Sequence, residues 1–189
     1  MTTIDGLPVT VPQRAVLEAG CWLPIEKSLV VADSALHLSL CTPDDLAEAF
    51  EVINHWRGSQ HLHVVLRLAN GRRESPGESR GSYLFWRYGL PQPVYQYEVY
   101  DQDGTLVAIV DFAWPDHGLL GEFDGRVKYG RLLKPGQDPG DVVFDEKIRE
   151  DKLRELTGWS MRRLIWNDYE RPRHTARRFA SALGVGCLA

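Results

Sequence analysis

The sequence predicts a mixed α/β protein: a central sheet flanked by helices, behind a small helical N-terminal segment. Up to Asn70-Gly71 the chain reads as a series of short helices with proline and polar starts. From Val94 to Asp124 it changes to three short runs rich in aromatic and β-branched residues, separated by turn signals. A helix, a strand and a last helix follow, an order that buries a sheet between helical layers.

Val11-Pro12-Gln13-Arg14 opens a helix through Glu18, with proline in the first turn, where its missing N–H is harmless. A second helix runs from about Pro24 to Leu40. Thr42-Pro43-Asp44-Asp45 starts a third through His55, and a short one covers Gln60 to Leu68. Asn70-Gly71 is a stop or turn, and the domain boundary is placed there: residues 1–70 form the helical segment and 71–189 the α/β domain. Arg72 to Tyr88 reads as a helix, despite Pro76 and Gly77, and Gly89 with Pro91 stops it. Val94 to Tyr100 and Leu106 to Phe112 read as strands joined by the turn Asp101-Gln102-Asp103-Gly104. Leu119 to Asp124 is a third strand, closed by Gly125. Beyond a loop holding Pro135 and Pro139, Val143 to Leu156 is a helix and Met161 to Trp166 a strand, and Asp168 caps a helix reaching Ala182.

With 43% hydrophobic and 25% charged residues, the chain has the make-up of a soluble globular protein. It holds no apolar stretch of bilayer-spanning length and no basic segment leading into an apolar run, so a cytoplasmic protein without a membrane partner is expected. Cys21, Cys41 and Cys187 are scattered, with neither a disulfide nor a zinc pattern. His55, His61 and His63 lack the companions of a metal site and read as surface histidines. The net charge of −4 argues against a non-specific nucleic-acid coat, but the charge is uneven. Residues 160–179 hold Arg162, Arg163, Arg171, Arg173, Arg177 and Arg178 against only Asp168 and Glu170. Such a basic end can meet phosphate; a solvated helix face would look similar.

Asp111 closes one strand and Glu122 lies on the next, each among apolar neighbours. A carboxylate in such company is costly to bury unless it is paired or holds a cation. Two on adjacent strands can converge on one hard cation, Mg²⁺ or Mn²⁺, which activates water and neutralises charge on a phosphate. The plainer alternative is that Asp111 ends its strand into the Trp114-Pro115 turn while Glu122 pairs with an arginine.

The runs Val110-Asp111-Phe112-Ala113-Trp114-Pro115 and Gly121-Glu122-Phe123-Asp124-Gly125 resemble the core of a PD-(D/E)XK nuclease-like family related to very-short-patch-repair endonucleases. The resemblance extends in order through Glu74-Ser75-Pro76-Gly77-Glu78-Ser79-Arg80, Gly89-Leu90-Pro91 with Gln96, then Asp145, Arg149, Leu153, Gly158-Trp159, Arg163 and Trp166. It covers about residues 71–170. The segment from Gly6-Leu7-Pro8-Val9-Thr10 to Val30-Val31-Ala32-Asp33 is similar to the middle of bacterial abortive-infection antitoxin-type proteins, in which a winged helix-turn-helix lies upstream. The resemblance implies a restriction-endonuclease-like fold, DNA as partner and Mg²⁺ or Mn²⁺ as cofactor. It also implies an upstream winged helix-turn-helix module or a partner protein. Asp111 and Glu122 become metal ligands, with Glu78 the third carboxylate and Glu74 one turn earlier on the same helical face.

One departure stands out. The family pattern places lysine two residues after the glutamate, where this chain has Asp124. Lys128, beyond the break at Gly125, could supply the missing cation. So could Arg149, which falls with Asp145 and Lys152 inside the inward sector that Phe144, Ile148, Leu153 and Leu156 define on their helix, while Glu150 and Arg154 face outwards as an i,i+4 pair. A structural Asp145–Arg149 pair fits that placement equally well. Two functions follow. One is Mg²⁺-dependent endonucleolytic hydrolysis of DNA, in phage defence, a toxin–antitoxin system or repair. It would use Glu78, Asp111, Glu122 and Lys128 or Arg149, with Arg171, Arg173, Arg177 and Arg178 on the DNA. The other is a catalytically inactive nuclease fold that binds DNA or regulates.

Overall fold

The computed structural model describes residues 2–125 and 139–188, excepting the side chains of Ile4 and of residues 139–147. The described residues form seven α-helices, a four-stranded mixed sheet and a two-stranded sheet, and they divide into two compact units, Met1–Tyr83 and Leu84–Ala189.

The first unit opens with a hairpin where only helices are expected. Strands β1 (Thr2–Ile4) and β2 (Leu7–Val9) pair antiparallel around Asp5-Gly6, whose φ angles are 51° and 80°. Glycine and aspartate tolerate that left-handed conformation, and Asp-Gly is a strong hairpin signal. Three-residue strands, one holding Pro8, are too short to display an alternating pattern.

Helices α1 (Pro12–Gly20), α2 (Ile25–His37), α3 (Pro43–Ile53) and α4 (Leu62–Leu68) follow, close to the expected spans, with a 3₁₀ turn Ser59–His61 leading into α4. Thr42 and Asp45 cap α3 reciprocally. Leu17, Leu29, Leu46, Ile53, Leu62 and Val65 make the core. A Cβ on Gly20 would come within 2.7 Å of the Leu62 side chain, so α1 and α4 touch through a glycine.

Arg73 is wholly buried in this unit. Its Nε and Nη2 donate to both Asp33 oxygens (2.6 and 2.7 Å), Nη1 to the Ser82 hydroxyl (2.5 Å), and Nη2 also to the Leu68 carbonyl (2.6 Å). That network ties residues beyond Asn70-Gly71 into the first unit. Helix α5 covers Pro76–Arg87, not Arg72–Tyr88. Proline disfavours a helical residue before it, and Ser75 and Glu78 cap the start. Glu74 therefore precedes the helix and shares no helical face with Glu78.

The second unit carries β3 (Val94–Tyr100), β4 (Leu106–Trp114), β5 (Leu119–Asp124) and β6 (Ser160–Ile165), in the spatial order β3-β4-β5-β6. The first two pairs are antiparallel and β5–β6 is parallel, joined through α6 (Pro139–Thr157). The chain ends in α7 (Pro172–Leu183), not in a helix begun at Asp168. Trp166–Glu170 is a 3₁₀ turn, and Pro172 sets the true start. On one face of the sheet Phe112, Trp114, Leu119 and Leu164 pack with Phe85, Phe179 and Leu183. On the other, Val99, Val110, Leu120 and Met161 pack with Leu153 of α6. No helix among the described residues is long and apolar enough to cross a membrane.

Candidate functional site

The sheet forks at Asp111 and Glu122. Strands β4 and β5 pair through Trp114↔Leu119, Ala113↔Leu120 and Phe112↔Gly121. Continued by one residue, that register sets Asp111 opposite Glu122. The pairing stops there: the Phe123 N–H donates to Asp111 Oδ2 at 2.7 Å, so a side chain takes the amide that a ladder would otherwise use. Beyond this point β4 stays with β3, while β5 continues along β6 through Asp124↔Ile165.

The fork coincides with a change of face. Val110 and Tyr97 belong to the α6 side, whereas Phe112 and Tyr95 belong to the opposite core. Residues two apart on a regular strand share a face, so both strands must turn over between these pairs. The residues in between are Gln96 and Asp111, bracketed by the registers Tyr95↔Phe112 and Tyr97↔Val110. Gln96 has φ +50°, rare for a residue with a side chain and costly enough to persist only where the surroundings enforce it.

Glu122 lies on the α6 side, in a narrow crevice with Arg149, Glu150, Leu153, Met161 and Arg163. Arg149 Nη2 lies 2.9 Å from Glu122 Oε1 and donates to the Ile109 carbonyl of β4 at 3.2 Å. One guanidinium thus spans both arms of the fork. Glu150 accepts from Arg163 on β6 (3.2 Å) as well as pairing with Arg154 (2.6 Å). The inward sector of α6 accordingly differs from the expected one. Leu153 is buried and Glu150 turns to the sheet, while Ile148 is 51% exposed and Lys152 also faces solvent. Among the described side chains of α6, Leu153 and Leu156 mark the buried side.

The other expected residues fall as follows. Glu78, in the first unit, is buried, and its carboxylate accepts from the Ser75 hydroxyl (2.6 Å) and the Glu74 N–H (3.0 Å), the reciprocal half of a helix cap. Ser75-x-x-Glu78 just after Arg73 is itself a capping-box pattern, a signal present in the sequence. Lys128 lies outside the described residues, as does the side chain of Asp145. Asp124 is half-buried at the end of β5, two residues along from Glu122. Among the described residues no group of three or more His, Cys, Asp or Glu side chains is arranged to hold a metal ion. The donors at the fork are two carboxylates, the hard oxygen ligands that Mg²⁺ and Mn²⁺ prefer, and they would need water to complete the shell.

Of the four arginines assigned to DNA, Arg171, Arg173 and Arg177 are exposed. Arg178 is engaged within the unit: Nη2 lies 2.9 Å from Asp168 Oδ2 and donates to the Arg163 carbonyl at 3.0 Å. A larger cavity of about 390 Å³ lies in the first unit, lined by Leu36, Ser39, Cys41, Thr42, Ala69 and Asn70 among others. Its single titratable group is Cys41, whose thiol burial pushes up.

No family model matches the chain, and no solved structure matches it. Two curated relatives do, both from Mycobacterium tuberculosis: the uncharacterized protein Rv2248 of strain H37Rv and the uncharacterized protein MT2308 of strain CDC 1551. Each is 30% identical over 187 residues, covering 98% of this chain. Both relatives are longer. The chain spans 65% of their length, and the likeness runs through both units.

Proposed function

We propose that the second unit is a restriction-endonuclease-like domain that hydrolyses phosphodiester bonds in DNA with Mg²⁺ or Mn²⁺, Asp111 and Glu122 holding the cation. The observation that supports this reading is the fork: Asp111 and Glu122 are the next residues of β4 and β5 beyond the last paired positions, Phe112↔Gly121, the Asp111 carboxylate accepts the Phe123 N–H, and Gln96 on β3 is held at positive φ. Structured sheets seldom spend strain and two acidic groups on one point without a use for them. When bound, the cation supplies charge neutralisation at the phosphate and a water of lowered pKa.

The chain's own residues do the rest. Asp111 is oriented by the Phe123 N–H, and Glu122 by its position on a strand paired to β6. Arg149 provides the positive group that the Asp124 position lacks, with Lys128 a second source. Exposed Arg171, Arg173 and Arg177 would contact the DNA backbone; Arg178 supports them from its pair with Asp168. Glu78 is proposed as the third carboxylate, already accepting from the Ser75 hydroxyl and the Glu74 N–H. The biological setting proposed is phage defence or a toxin–antitoxin system.

A second reading is favoured by one observation, the Arg149–Glu122 ion pair together with Asp124 in place of lysine. It makes the domain a nuclease fold without turnover that binds DNA or regulates. Nicking of supercoiled plasmid in Mg²⁺ or Mn²⁺ separates the two. The proposed enzyme cuts, Glu122→Gln does not, and Lys128→Ala or Arg149→Ala is slowed about a hundredfold, the scale of losing one transition-state contact. Wild type no faster than Glu122→Gln on any DNA substrate removes the enzyme reading.

A further inference from the structure

In the first unit, Trp22 stands just before α2 with 88% of its surface accessible, and the cavity of about 390 Å³ lies at the other end of the same helix. We infer that this unit pairs with a second copy of the chain across antiparallel α2 helices, the indole of Trp22 from each copy entering the cavity of the other.

Three observations carry the inference. First, the cavity suits an indole. Leu36, Cys41, Pro43 and Ala69 give it apolar walls, no charged side chain lines it, and the Ser39 hydroxyl offers an acceptor for the indole N–H. Ser39 ends α2 at φ +53°, and the leucines on either side of it, Leu38 and Leu40, are 64% and 54% accessible. Exposed apolar side chains grouped around a concavity mark an interaction site.

Second, the spacing allows the exchange to be reciprocal. Helix α2 has 13 residues, so it is about 20 Å long. A two-fold axis beside Val31, its middle residue, sets position 22 of one copy across from position 40 of the other, and Pro24 across from Leu38. Both indoles then reach a cavity at once.

Third, the helix face between the two ends fits such a contact. The buried residues of α2 are Ser28, Leu29, Ala32, Asp33 and Ala35, which turns Lys27, Val30, Ser34 and Leu38 outward. Lys27 alone among these four is charged. It lies in the first turn, where the helix dipole disfavours a cation. Antiparallel pairing brings it to the last turn of the other copy's α2, where a cation is favoured.

The pairing involves the first unit alone and holds whatever the second unit catalyses. Two indoles and one short helix face per copy make an interface at the small end of the stable range, so the dissociation constant should be on the order of micromolar.

The test is sedimentation velocity of the whole chain across the micromolar range, for wild type, Trp22→Ser and Leu40→Glu, each alone and the two variants mixed. Both changes fall on exposed side chains, so the melting temperatures should match that of wild type. Wild type should dimerise, and each variant alone should associate about tenfold more weakly or worse, the scale of losing an aromatic anchor or its pocket. An equimolar mixture keeps one intact contact, Trp22 of the Leu40→Glu chain in the cavity of the Trp22→Ser chain. It should associate more tightly than either variant alone. Wild type that stays monomeric throughout overturns the inference and leaves the cavity to another occupant. A dimer that Trp22→Ser does not weaken, or a mixture no tighter than its components, overturns it as well.

Discussion

Gln96 and Asp111 both fall between the paired positions Tyr95↔Phe112 and Tyr97↔Val110 of β3 and β4, and it is there, with Gln96 at φ +50°, that both strands exchange their buried faces. The turnover lets Val110 face α6 while Phe112, two residues on, enters the opposite core. It also leaves Asp111 at the edge of the β4–β5 ladder, where its carboxylate takes the Phe123 N–H.

That geometry predicts an unusual tolerance at Gln96. Glycine adopts positive φ freely, so Gln96→Gly should stay within about 1 kcal/mol of wild type in urea unfolding. Gln96→Val, branched at Cβ, should lose about 1–3 kcal/mol. Equal stability of the two variants would mean that the left-handed conformation is not enforced.

In the first unit, Arg73 and Asp33 form an ion pair with both side chains 1% accessible. Burial pushes the Asp33 carboxyl up, and the hydrogen bonds and charge of Arg73 oppose it. Removing one partner leaves the other buried without its counterion, so Arg73→Ala or Asp33→Ala should cost about 3–5 kcal/mol. Arg73→Met with Asp33→Leu should cost much less than the sum of the single losses, because no stranded charge remains. Additive losses in a double-mutant cycle would argue that the pair acts only through packing.

The order of the elements was legible in the sequence because it is written in local signals. Pro12, Thr42-Pro43 and the turn Asp101–Gly104 mark ends, and Val94–Tyr100 reads as a strand from its residues alone. The pairing of β4 with β5 was legible for the same reason, since a short turn joins the two strands. What was not legible depends on contacts far apart in the chain. The buried side of α6 is chosen by Arg163 and Met161 on β6, and Arg178 is claimed by Asp168. The face change at Gln96 is a backbone event with no composition of its own. Two features carry local signals of their own: the hairpin turn Asp5-Gly6, and the pattern Ser75-x-x-Glu78 at the start of α5.

The exposed arginines at the start of α7 carry the DNA proposal. Three basic residues, Arg171, Arg173 and Arg177, lie within about two turns of a helix N-terminus, where positive charge is disfavoured unless an anion meets it. Arg173→Ala with Arg177→Ala should weaken binding to all DNA sequences alike and reduce the slope of log K against log salt by about two. Arg178→Ala should instead lower stability, through loss of its pair with Asp168. An unchanged salt slope in the Arg173/Arg177 double variant would return this face to solvent.

The most direct measurement is the melting temperature of the whole chain with and without Mn²⁺, in wild type and in Asp111→Ala. A cation bound by the folded fork stabilises it by mass action, about 2.7 kcal/mol at a hundred times the dissociation constant. In a chain of this size that is a rise of roughly 5–10 °C. The account predicts this rise for wild type and its loss in Asp111→Ala, with Glu122→Gln behaving alike. No rise in wild type, or the same rise in Asp111→Ala, would contradict the claim that Asp111 and Glu122 share a cation.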